Sequence, residues 1–247
     1  MTLSYDGHDL ESLFICGEPE LSILNFQPEL NDVASRNGAL LLGSKIGTST
    51  VAFTIVATGT ASERRDKFST LGGWLMVDVP KKLILPDTPD RYYAAVPQGA
   101  LDLQRGFDGE YAVLTFTLTD PIAYSTTVNT VTSINGSATV TVNGTAPAYF
   151  TVAHASNYVT VSDTEDYKWG IGLSGHNDKL ISRRAVTGSS GNVQLEIDVE
   201  KRTFKLAGVT SVVSLDSSWF MLEPGTNTIT RLYGSREFKV KWRDRWY

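Results

Sequence analysis

Runs of apolar residues with short polar breaks in the first half of the chain predict a sheet. Residues 49–57 are mostly β-branched or aromatic, a composition typical of a strand. Further strands are predicted at residues 83–85, 92–96 and 111–119, and proline residues punctuate the segments between them. The first half is therefore predicted to be β-rich.

One helix is predicted within this β-rich half. Thr60 and Glu63 have the spacing of a capping box, in which the two side chains satisfy free backbone N–H groups at a helix start. The apolar residues that follow with helical spacing are Phe68, Leu71, Trp74 and Leu75. Gly72 and Gly73 each cost a helix roughly 1 kcal/mol relative to Ala, so we expect the helix to end near them.

The second half changes to short alternating segments rich in Thr, Val, Ser and Asn. Asn135-Gly136 and Asn143-Gly144 flank one of these segments, and Asn-Gly favours the positive φ angles of a type I′ hairpin turn. Short strands separated by turn signals predict an antiparallel β-sandwich.

Two domains are expected. Residues 193–199 and 203–206 predict a further hairpin in the sandwich, and the change of pattern places the boundary near Tyr124. The expectation is a mainly β protein with a β-rich domain carrying one α-helix at residues 1–124 and a β-sandwich at residues 125–247.

Composition excludes several classes of protein. Of the 247 residues, 41% are hydrophobic and 20% are charged, which suffices for a packed core in each half. The net charge of −5 argues against sequence-specific nucleic-acid binding through a basic surface. No run approaches the about 18 apolar residues of a membrane span, and the N-terminus lacks a signal-peptide pattern. With one cysteine, Cys16, we expect folding in a reducing cytoplasm and a small buried thiol.

The C-terminal segment is basic. Its basic residues are Arg231, Arg236, Lys239, Lys241, Arg243 and Arg245. Against them stand Glu237 and Asp244, so residues 231–247 carry +4 and the rest of the chain −9. This segment either meets an acidic partner surface or forms a solvated edge strand whose cations prevent aggregation, and the sequence favours neither. Trp242 and Trp246 within it are candidate interface anchors.

A glycine-rich motif is the first candidate for chemistry. Gly170, Gly172 and Gly175 match the dinucleotide fingerprint, which needs a buried strand before it and a helix after it. The preceding residues are charged and the surroundings are β-rich, so a loop or glycine-rich strand is the interpretation. Ser174 lacks the second glycine of a nucleophile elbow, because His176 occupies that position.

The remaining polar residues indicate neither catalysis nor a metal site. Besides His176, the histidines are His8 and His154, and neither lies in a catalytic signature. Residues 176–178 offer oxygen and nitrogen ligands without a second cluster. Asp163, Glu165 and Asp166 are interpreted as a solvated turn. No catalytic residue, metal or cofactor is predicted.

Several passages, in order along the chain, carry a pattern found in one known family. They are residues 5–10, residues 64–75, Asp87, Pro89, Arg91, Tyr92 and Tyr93, then Asp120, Pro121 and Tyr124, residues 143–147, and Leu222, Pro224, Gly225 and Asn227. Together they resemble the siphophage distal tail (Dit) family, also described as phage tail components or baseplate hub proteins. The resemblance covers nearly the whole chain.

The resemblance implies an N-terminal domain that closes into a hexameric ring and a galectin-like C-terminal sandwich that projects outward. It implies a virion tail-tip location after synthesis in the bacterial host. The implied partners are further copies of the chain, the major tail tube protein, a tail-associated lysin-like protein, and receptor-binding or accessory baseplate proteins. The family has no catalytic residues or cofactor to transfer.

Candidate interface residues and two alternative functions complete the expectations. The candidates are Arg91, Tyr92, Tyr93, Arg236, Lys239, Lys241, Trp242, Arg243, Arg245 and Trp246. The first alternative is a carbohydrate-binding sandwich that contacts cell-wall glycans through exposed aromatic side chains. The second is a glycan-degrading enzyme that would use a carboxylate such as Asp163 or Asp166.

Overall fold

The chain forms two compact units in a computed structural model. The described residues are 2–22, 24–34, 37–106, 109–154, 166–185, 195–206, 209–233 and 237–247. The first unit comprises residues 1–124 together with Tyr247, and the second comprises residues 125–246. Each unit has its own hydrophobic core.

The first unit consists of strands and one helix. Its strands are β1 (Ser4–Tyr5), β2 (His8–Asp9), β3 (Ile15–Cys16), β4 (Glu20–Leu21), β5 (Asn25–Asp32), β6 (Ala39–Gly47), β7 (Ser49–Ala57), β8 (Lys81–Ile84), β9 (Arg91–Gln98), β10 (Gln104–Arg105) and β11 (Glu110–Ser125). A 3-10 turn spans Leu10–Ser12, and the helix α1 spans Ala61–Leu75.

One sheet organises this unit, in the order β2-β1-β8-β9-β11-β7-β3, with β10 beside β11 and β4 beside β7. One face of β7 and β11 is buried, as their alternating burial shows. Tyr5, Phe53 and Phe116 lie at the centre of the core, with the Tyr5 and Phe116 ring centroids 4.7 Å apart. The predicted strand at residues 49–57 is confirmed as β7.

The helix begins as predicted and ends later than predicted. Thr60 Oγ1 accepts a hydrogen bond from the Glu63 backbone N–H, and Glu63 Oε2 accepts one from the Thr60 N–H, so the capping box is present. The expected end near Gly72 is wrong, since α1 continues to Leu75. Leu71 is fully buried and Trp74 packs against the core, so tertiary contacts offset the low helix propensity of glycine.

The long strand β11 also extends further than the sequence pattern indicates. It continues through Asp120-Pro121 to Ser125, six residues beyond the predicted end at residue 119. Asp120 Oδ1 accepts a hydrogen bond from the Ile122 N–H at 3.0 Å, which stabilises the backbone beside the proline. A proline within a strand therefore does not mark its end here.

The second unit is all-β in its described residues. Its strands are β12 (Asn129–Thr132), β13 (Ser137–Val142), β14 (Phe150–His154), β15 (Asp166–Leu173), β16 (Lys179–Ala185), β17 (Leu195–Asp198), β18 (Thr203–Leu206), β19 (Val209–Thr210), β20 (Gly225–Arg231), β21 (Phe238–Trp242) and β22 (Arg245–Trp246).

Two antiparallel sheets in this unit share one core, so the predicted sandwich is present. Their orders are β12-β21-β14-β17-β18-β19 and β13-β20-β15-β16. Trp169 from the second sheet packs edge-on against Phe204 and Phe238 from the first, at 6.1 and 6.3 Å between centroids. The mainly β prediction is thus confirmed, and α1 is the only α-helix among the described residues.

The hairpin predictions have mixed outcomes. Asn135 and Gly136 have φ angles of 51° and 77°, and Ile134 and Ser137 exchange backbone hydrogen bonds across them, which confirms that turn. The predicted Asn143-Gly144 turn is wrong, because neither residue has a positive φ angle.

Gly144 is instead required by a close approach within the unit. A Cβ at this position would overlap the backbone of Arg245, and the neighbouring Ala146 N–H donates to the Arg245 carbonyl at 3.0 Å. The predicted pairing of residues 203–206 with the segment before them is confirmed, as β17 and β18. Residues 193 and 194 of that prediction lie outside the described residues.

The glycine-rich motif is part of strand β15, as the sequence interpretation states. An added Cβ at Gly170 would lie 2.9 Å from the Leu180 carbonyl oxygen, so this glycine allows β15 and β16 to approach. Gly175 has a φ angle of 80° in the following turn. A turn and then an antiparallel strand follow the motif, where a dinucleotide site needs a helix N-terminus.

Candidate assembly surfaces

A protruding hairpin is the most exposed regular element of the first unit. Strands β5 and β6 pair with each other over their whole length, and among the described strands they pair with no other. All eight residues of β5 are exposed. At about 3.3 Å per residue, the nine-residue β6 is about 30 Å long. No residue of this hairpin belongs to the described core clusters.

The hairpin has one mainly apolar face and one mixed face. Residues paired directly across a ladder have side chains on the same side, so Phe26 with Ile46 and Leu30 with Leu41 share one face. Phe26, Leu30 and Leu41 are 63%, 59% and 62% exposed. The other face carries Gln27 opposite Lys45, and it also carries Leu40, which pairs with Asn31 and is 40% exposed.

A second apolar patch lies on the solvent side of the main sheet. The inward residues of β11 are buried, whereas Tyr111 and Val113 point outward and are 37% and 54% exposed. Val56 of β7 pairs with Tyr111 of β11 on one side and with Ile15 of β3 on the other. Ile15 is 62% exposed. These four residues, Ile15, Val56, Tyr111 and Val113, are called the sheet patch below.

Sequence reasoning missed both surfaces. Residues 25–47 carry no predicted element, although Phe26, Pro28 and Leu30 repeat with the period of two that marks one face of a strand. That signal was available. The sheet patch could not be seen in the sequence, because its residues come from strands that are far apart in the chain.

The basic C-terminal strand is an interior strand of its sheet. β21 lies between β12 and β14, so the interpretation as a solvated edge strand is wrong. Lys239 and Lys241 alternate with the buried Phe238, Val240 and Trp242 and therefore lie on the solvent face. These two lysines are the candidates from β21 that remain available to a partner.

Three other members of the basic segment make contacts within the chain. Trp242 is 8% exposed and packs in the sandwich core, which corrects its assignment as a surface anchor. Arg245 is 5% exposed, donates to the Pro147 carbonyl at 2.9 Å and lies 4.6 Å from the Tyr149 ring centroid. Arg243 donates to the Ser125 carbonyl at 2.7 Å.

The remaining sequence candidates differ in exposure. Tyr92 is half-buried, stacks on Tyr124 at 5.6 Å and has the Lys82 ammonium 4.8 Å from its ring centroid. Burial raises the pKa of the half-buried Tyr93, and the charge of Asp87 raises it further. Arg91 lies 3.6 Å from the Asp90 carboxylate, Trp246 is half-buried, and Arg236 lies outside the described residues.

The described residues that were considered for chemistry lie apart from one another. His154 is buried beside Trp169 in the sandwich core, His8 stacks on Trp74 in the first unit, and His176 is exposed in a turn. Among the described residues no cluster of His, Cys, Asp and Glu could hold a metal ion, and no helix could span a membrane. Asp163 and Glu165 lie outside the described residues.

Cys16 is half-buried at the edge of the first core, less enclosed than predicted. Burial, followed by the negative charges of Glu11 and Asp9, raises the pKa of its thiol to about 11. A thiol with a raised pKa is a poor nucleophile at neutral pH. Cys16 is therefore a packing residue.

Comparison with known proteins finds a similarity in the C-terminal part of the chain. Residues 182–246 match the family model described as the siphovirus-type tail component, C-terminal domain. This segment contains β17 to β22 and the basic strand described above. No curated protein matches the chain.

The fold of the whole chain is similar to that of a solved phage tail protein. The crystal structure of the phage SPP1 Dit (gp 19.1) protein superposes with a TM-score of 0.79 at 16% identity, covering 100% of this chain and 99% of that chain. Two structures of the phage P2 baseplate in its activated conformation, with Ca and with Sr, give TM-scores of 0.48 and 0.46 at 10% identity. They cover 96% and 95% of this chain and 92% of each of those chains. The resemblance to the Dit and baseplate hub family is confirmed.

Proposed function

We propose that this chain is a structural subunit of a phage tail tip that forms a hexameric ring, joining the tail tube to the receptor-binding apparatus. The observation that carries the proposal is the end-to-end likeness in fold to SPP1 Dit, together with the tail-component match at residues 182–246. That relative is described as a paradigm of the hub adsorption apparatus in phages that infect Gram-positive bacteria.

The first unit has the surfaces that a ring subunit needs. A cyclic ring uses heterologous contacts, so each subunit must present two different surfaces to its neighbours. The apolar face of the hairpin and the sheet patch are two such surfaces, and both are exposed in the single chain. The first unit is therefore the ring-forming part in this proposal, with the tail tube protein on the axis of the ring.

The second unit is the docking part in this proposal. It has its own core, and its outward sheet face presents Lys239 and Lys241 among threonines of neighbouring strands. We assign receptor-binding, accessory baseplate or lysin-like tail proteins to this unit, with an acidic surface opposite the two lysines. A catalytic role is not part of the proposal, and the site residues above support none.

Nothing in the described part of the second unit favours the carbohydrate-binding alternative. It requires an exposed aromatic platform on the second unit, whereas Trp169 and Trp242 are buried and Trp219 and Tyr149 pack partly buried against the core. The sequence leaves a sugar-stacking role open for these residues, for the half-buried Trp246, and for Tyr158, which lies outside the described residues. We therefore retain core packing as the role of the aromatic side chains that lie in or against the sandwich core.

The mass of the purified full-length chain tests the proposal. We expect light scattering to give six times 27.0 kDa, alone or after addition of the tail tube protein, and negative-stain images to show rings with a central hole. A chain that stays at 27.0 kDa at every concentration, with and without that partner, contradicts the proposal.

A further inference from the structure

Three arginines lie in one pocket of the first unit, beside the start of α1. The pocket has a volume of about 410 Å³, and Arg64, Arg65 and Arg105 line it together with Glu110. Three guanidinium groups and one carboxylate give the pocket a net charge of +2, although the whole chain carries −5. The pocket, called the arginine pocket below, is thus a local concentration of positive charge on an acidic protein.

The helix and a strand pair bring these side chains together. Arg105 of β10 lies directly opposite Glu110 of β11 in their antiparallel ladder, and α1 supplies the other two arginines. Side chains alternate along a strand, so Glu110 points to the same side of β11 as the buried Ala112. Glu110 therefore points to the opposite side of the sheet from the outward residues of the sheet patch.

The single carboxylate does not balance the three arginines. One Glu110 oxygen, Oε1, lies 3.7 Å from Arg64 Nη2 and 3.7 Å from Arg105 Nε, so two guanidinium groups share one acceptor. Arg64 Nε is buried and donates to no acceptor in the described part of the chain. The Arg65 side chain forms no ion pair with any described residue. The pocket therefore has donors and positive charge that its own chain leaves unmatched.

The position of two of these cations on α1 is unfavourable in the chain alone. Arg64 and Arg65 lie in the first two turns of the helix, near the positive end of its macrodipole. Glu63, the acidic residue of the first turn, is engaged in the capping box with Thr60. An anion held in the arginine pocket would interact favourably with both the arginines and the helix dipole.

Apolar side chains beside the guanidinium groups indicate the kind of anion. Phe68 of α1 and Leu103 line the same pocket, and Leu103 is 51% exposed. Arginine next to apolar and aromatic side chains is typical of protein interfaces, whereas a nucleic acid needs a basic groove that follows its backbone. The net charge of −5 also opposes the binding of a long polyanion. Charge and shape together favour a protein carboxylate.

We infer that the arginine pocket binds an acidic segment of another protein, in which carboxylates lie next to an apolar side chain. The carboxylates accept hydrogen bonds from the guanidinium groups of Arg65 and Arg105, whose planar geometry suits bidentate contacts. The apolar side chain of the segment packs against Leu103. This inference goes beyond the proposed ring, because the arginine pocket belongs neither to the hairpin nor to the sheet patch.

Calorimetric titration of the full-length chain with a short acidic peptide tests the inference. The probe is acetyl-Glu-Leu-Glu-Glu-amide, and the control peptide is its neutral counterpart, acetyl-Gln-Leu-Gln-Gln-amide. We expect the acidic peptide to bind, with an affinity that falls at least about tenfold between about 50 mM and about 500 mM NaCl, because salt screens the charges. The neutral peptide should not bind measurably.

Paired substitutions locate the binding site. Arg65→Gln with Arg105→Gln removes two exposed cations from the arginine pocket and should lower the affinity for the acidic peptide at least about tenfold. The matched control, Lys45→Gln with Lys201→Gln, removes the same charge from exposed positions elsewhere and should keep the affinity within about twofold. Far-UV circular dichroism verifies that both variants keep the wild-type fold.

A third variant should change the affinity in the opposite direction. Glu110→Gln removes the one anion of the pocket and frees the guanidinium groups of Arg64 and Arg105 for the ligand. We expect it to bind the acidic peptide at least about threefold more tightly than the wild type does. A variant that folds poorly would bind more weakly, so tighter binding reports on the charge of the pocket itself.

The outcomes distinguish the possible occupants. Weaker binding by the arginine variant together with tighter binding by Glu110→Gln supports the inference. It is overturned if the wild-type chain does not bind the acidic peptide, if the neutral peptide binds equally, or if the arginine variant binds as the wild type does. Inorganic phosphate and a short DNA duplex are titrated in parallel, and tighter binding of either in this pocket than of the peptide also overturns it.

A second copy of the chain is a further occupant that the titration tests. If the peptide binds monomers but not hexamers, another copy fills the pocket and the assignment to a different protein is overturned. The proposed ring is judged by the mass of the chain, so a failed titration leaves it standing. A chain that stays monomeric but binds the peptide in the arginine pocket contradicts the ring and supports this inference.

Discussion

Asp244 is buried and accepts hydrogen bonds from three parts of the second unit. The donors are Asn129 Nδ2 at 3.1 Å, the Asn143 backbone N–H at 3.1 Å and Trp242 Nε1 at 3.2 Å. Its backbone carbonyl accepts a fourth bond, from the Ser125 N–H. One carboxylate thus ties the last strands to the first strands of the sandwich.

We predict that Asp244→Ala destabilises the chain by about 2–4 kcal/mol, because it leaves buried donors without acceptors. Urea unfolding followed by tryptophan fluorescence measures the change. Asp216→Ala, at an exposed position, serves as the control and should change stability by less than about 0.5 kcal/mol. Equal stabilities for the two variants would rule out this role for Asp244.

The Cys16 thiol should react with iodoacetamide only at alkaline pH. Its pKa of about 11 lies above the ordinary value, so the folded state favours the protonated thiol. We expect the labelling rate of the folded chain to rise with a midpoint near pH 11, and that of the urea-unfolded chain near about pH 8.5. Equal labelling midpoints for the folded and the unfolded chain would contradict a raised thiol pKa in the folded chain.

The sign of the corresponding stability change follows from the same pKa. Below the ordinary thiol pKa, the Cys16 thiol contributes its full stabilisation of the folded chain. This stabilisation is lost as the pH rises towards 11, because the unfolded chain releases the thiol proton first. Cys16→Ala should therefore weaken the alkaline loss of stability. The Tyr5 hydroxyl, whose pKa burial raises to about 12, contributes a separate loss at higher pH.

At the scale of elements, α1 shows how packing overrides propensity. Gly72 and Gly73 lie in its last turn, yet the helix continues because Leu71 and Trp74 are held by the core. Neither glycine has a positive φ angle, and a Cβ at either position would meet nothing within 4 Å. The helix therefore carries an entropic cost that no close contact requires.

We predict that Gly72→Ala stabilises the first unit by about 0.5–1 kcal/mol, since alanine loses less backbone entropy in a helix. Thermal unfolding monitored by circular dichroism provides the measurement. Gly170→Ala is the matched contrast and should destabilise the second unit, because its Cβ would lie 2.9 Å from the Leu180 carbonyl oxygen. The prediction fails if Gly72→Ala lowers the Tm.

At the scale of the whole molecule, the two units have separate cores. Leu71 belongs to the first core and Ile197 to the second, and both are fully buried. The two clusters share no residue. A substitution in one core therefore leaves the side chains of the other core in place.

We predict that Leu71→Ala and Ile197→Ala each cost about 2–5 kcal/mol but in different calorimetric transitions. Differential scanning calorimetry of the full-length chain should show one transition moving in each variant while the other stays near its wild-type temperature. A single transition that moves equally in both variants would show that the cores unfold together.

The sequence by itself determined the parts of the fold that local signals encode. The strand β7, the capping box of α1, the Asn135-Gly136 turn and the β17–β18 pair each depend on residues within about fifteen positions of one another. The helix, strand and turn preferences of these residues are local and do not depend on which distant segments pack against them. The mainly β fold and the resemblance to distal tail proteins followed from the order of such signals.

Only the tertiary structure decided which faces are covered. Trp242 proved to be buried, β21 proved to be an interior strand, and Gly144 proved to be needed for a close approach, because each depends on strands distant in sequence. The same holds for the apolar hairpin face that its own chain leaves exposed. Burial is a property of neighbours in space, and a pattern along the chain cannot specify which distant segment, or which other copy, supplies them.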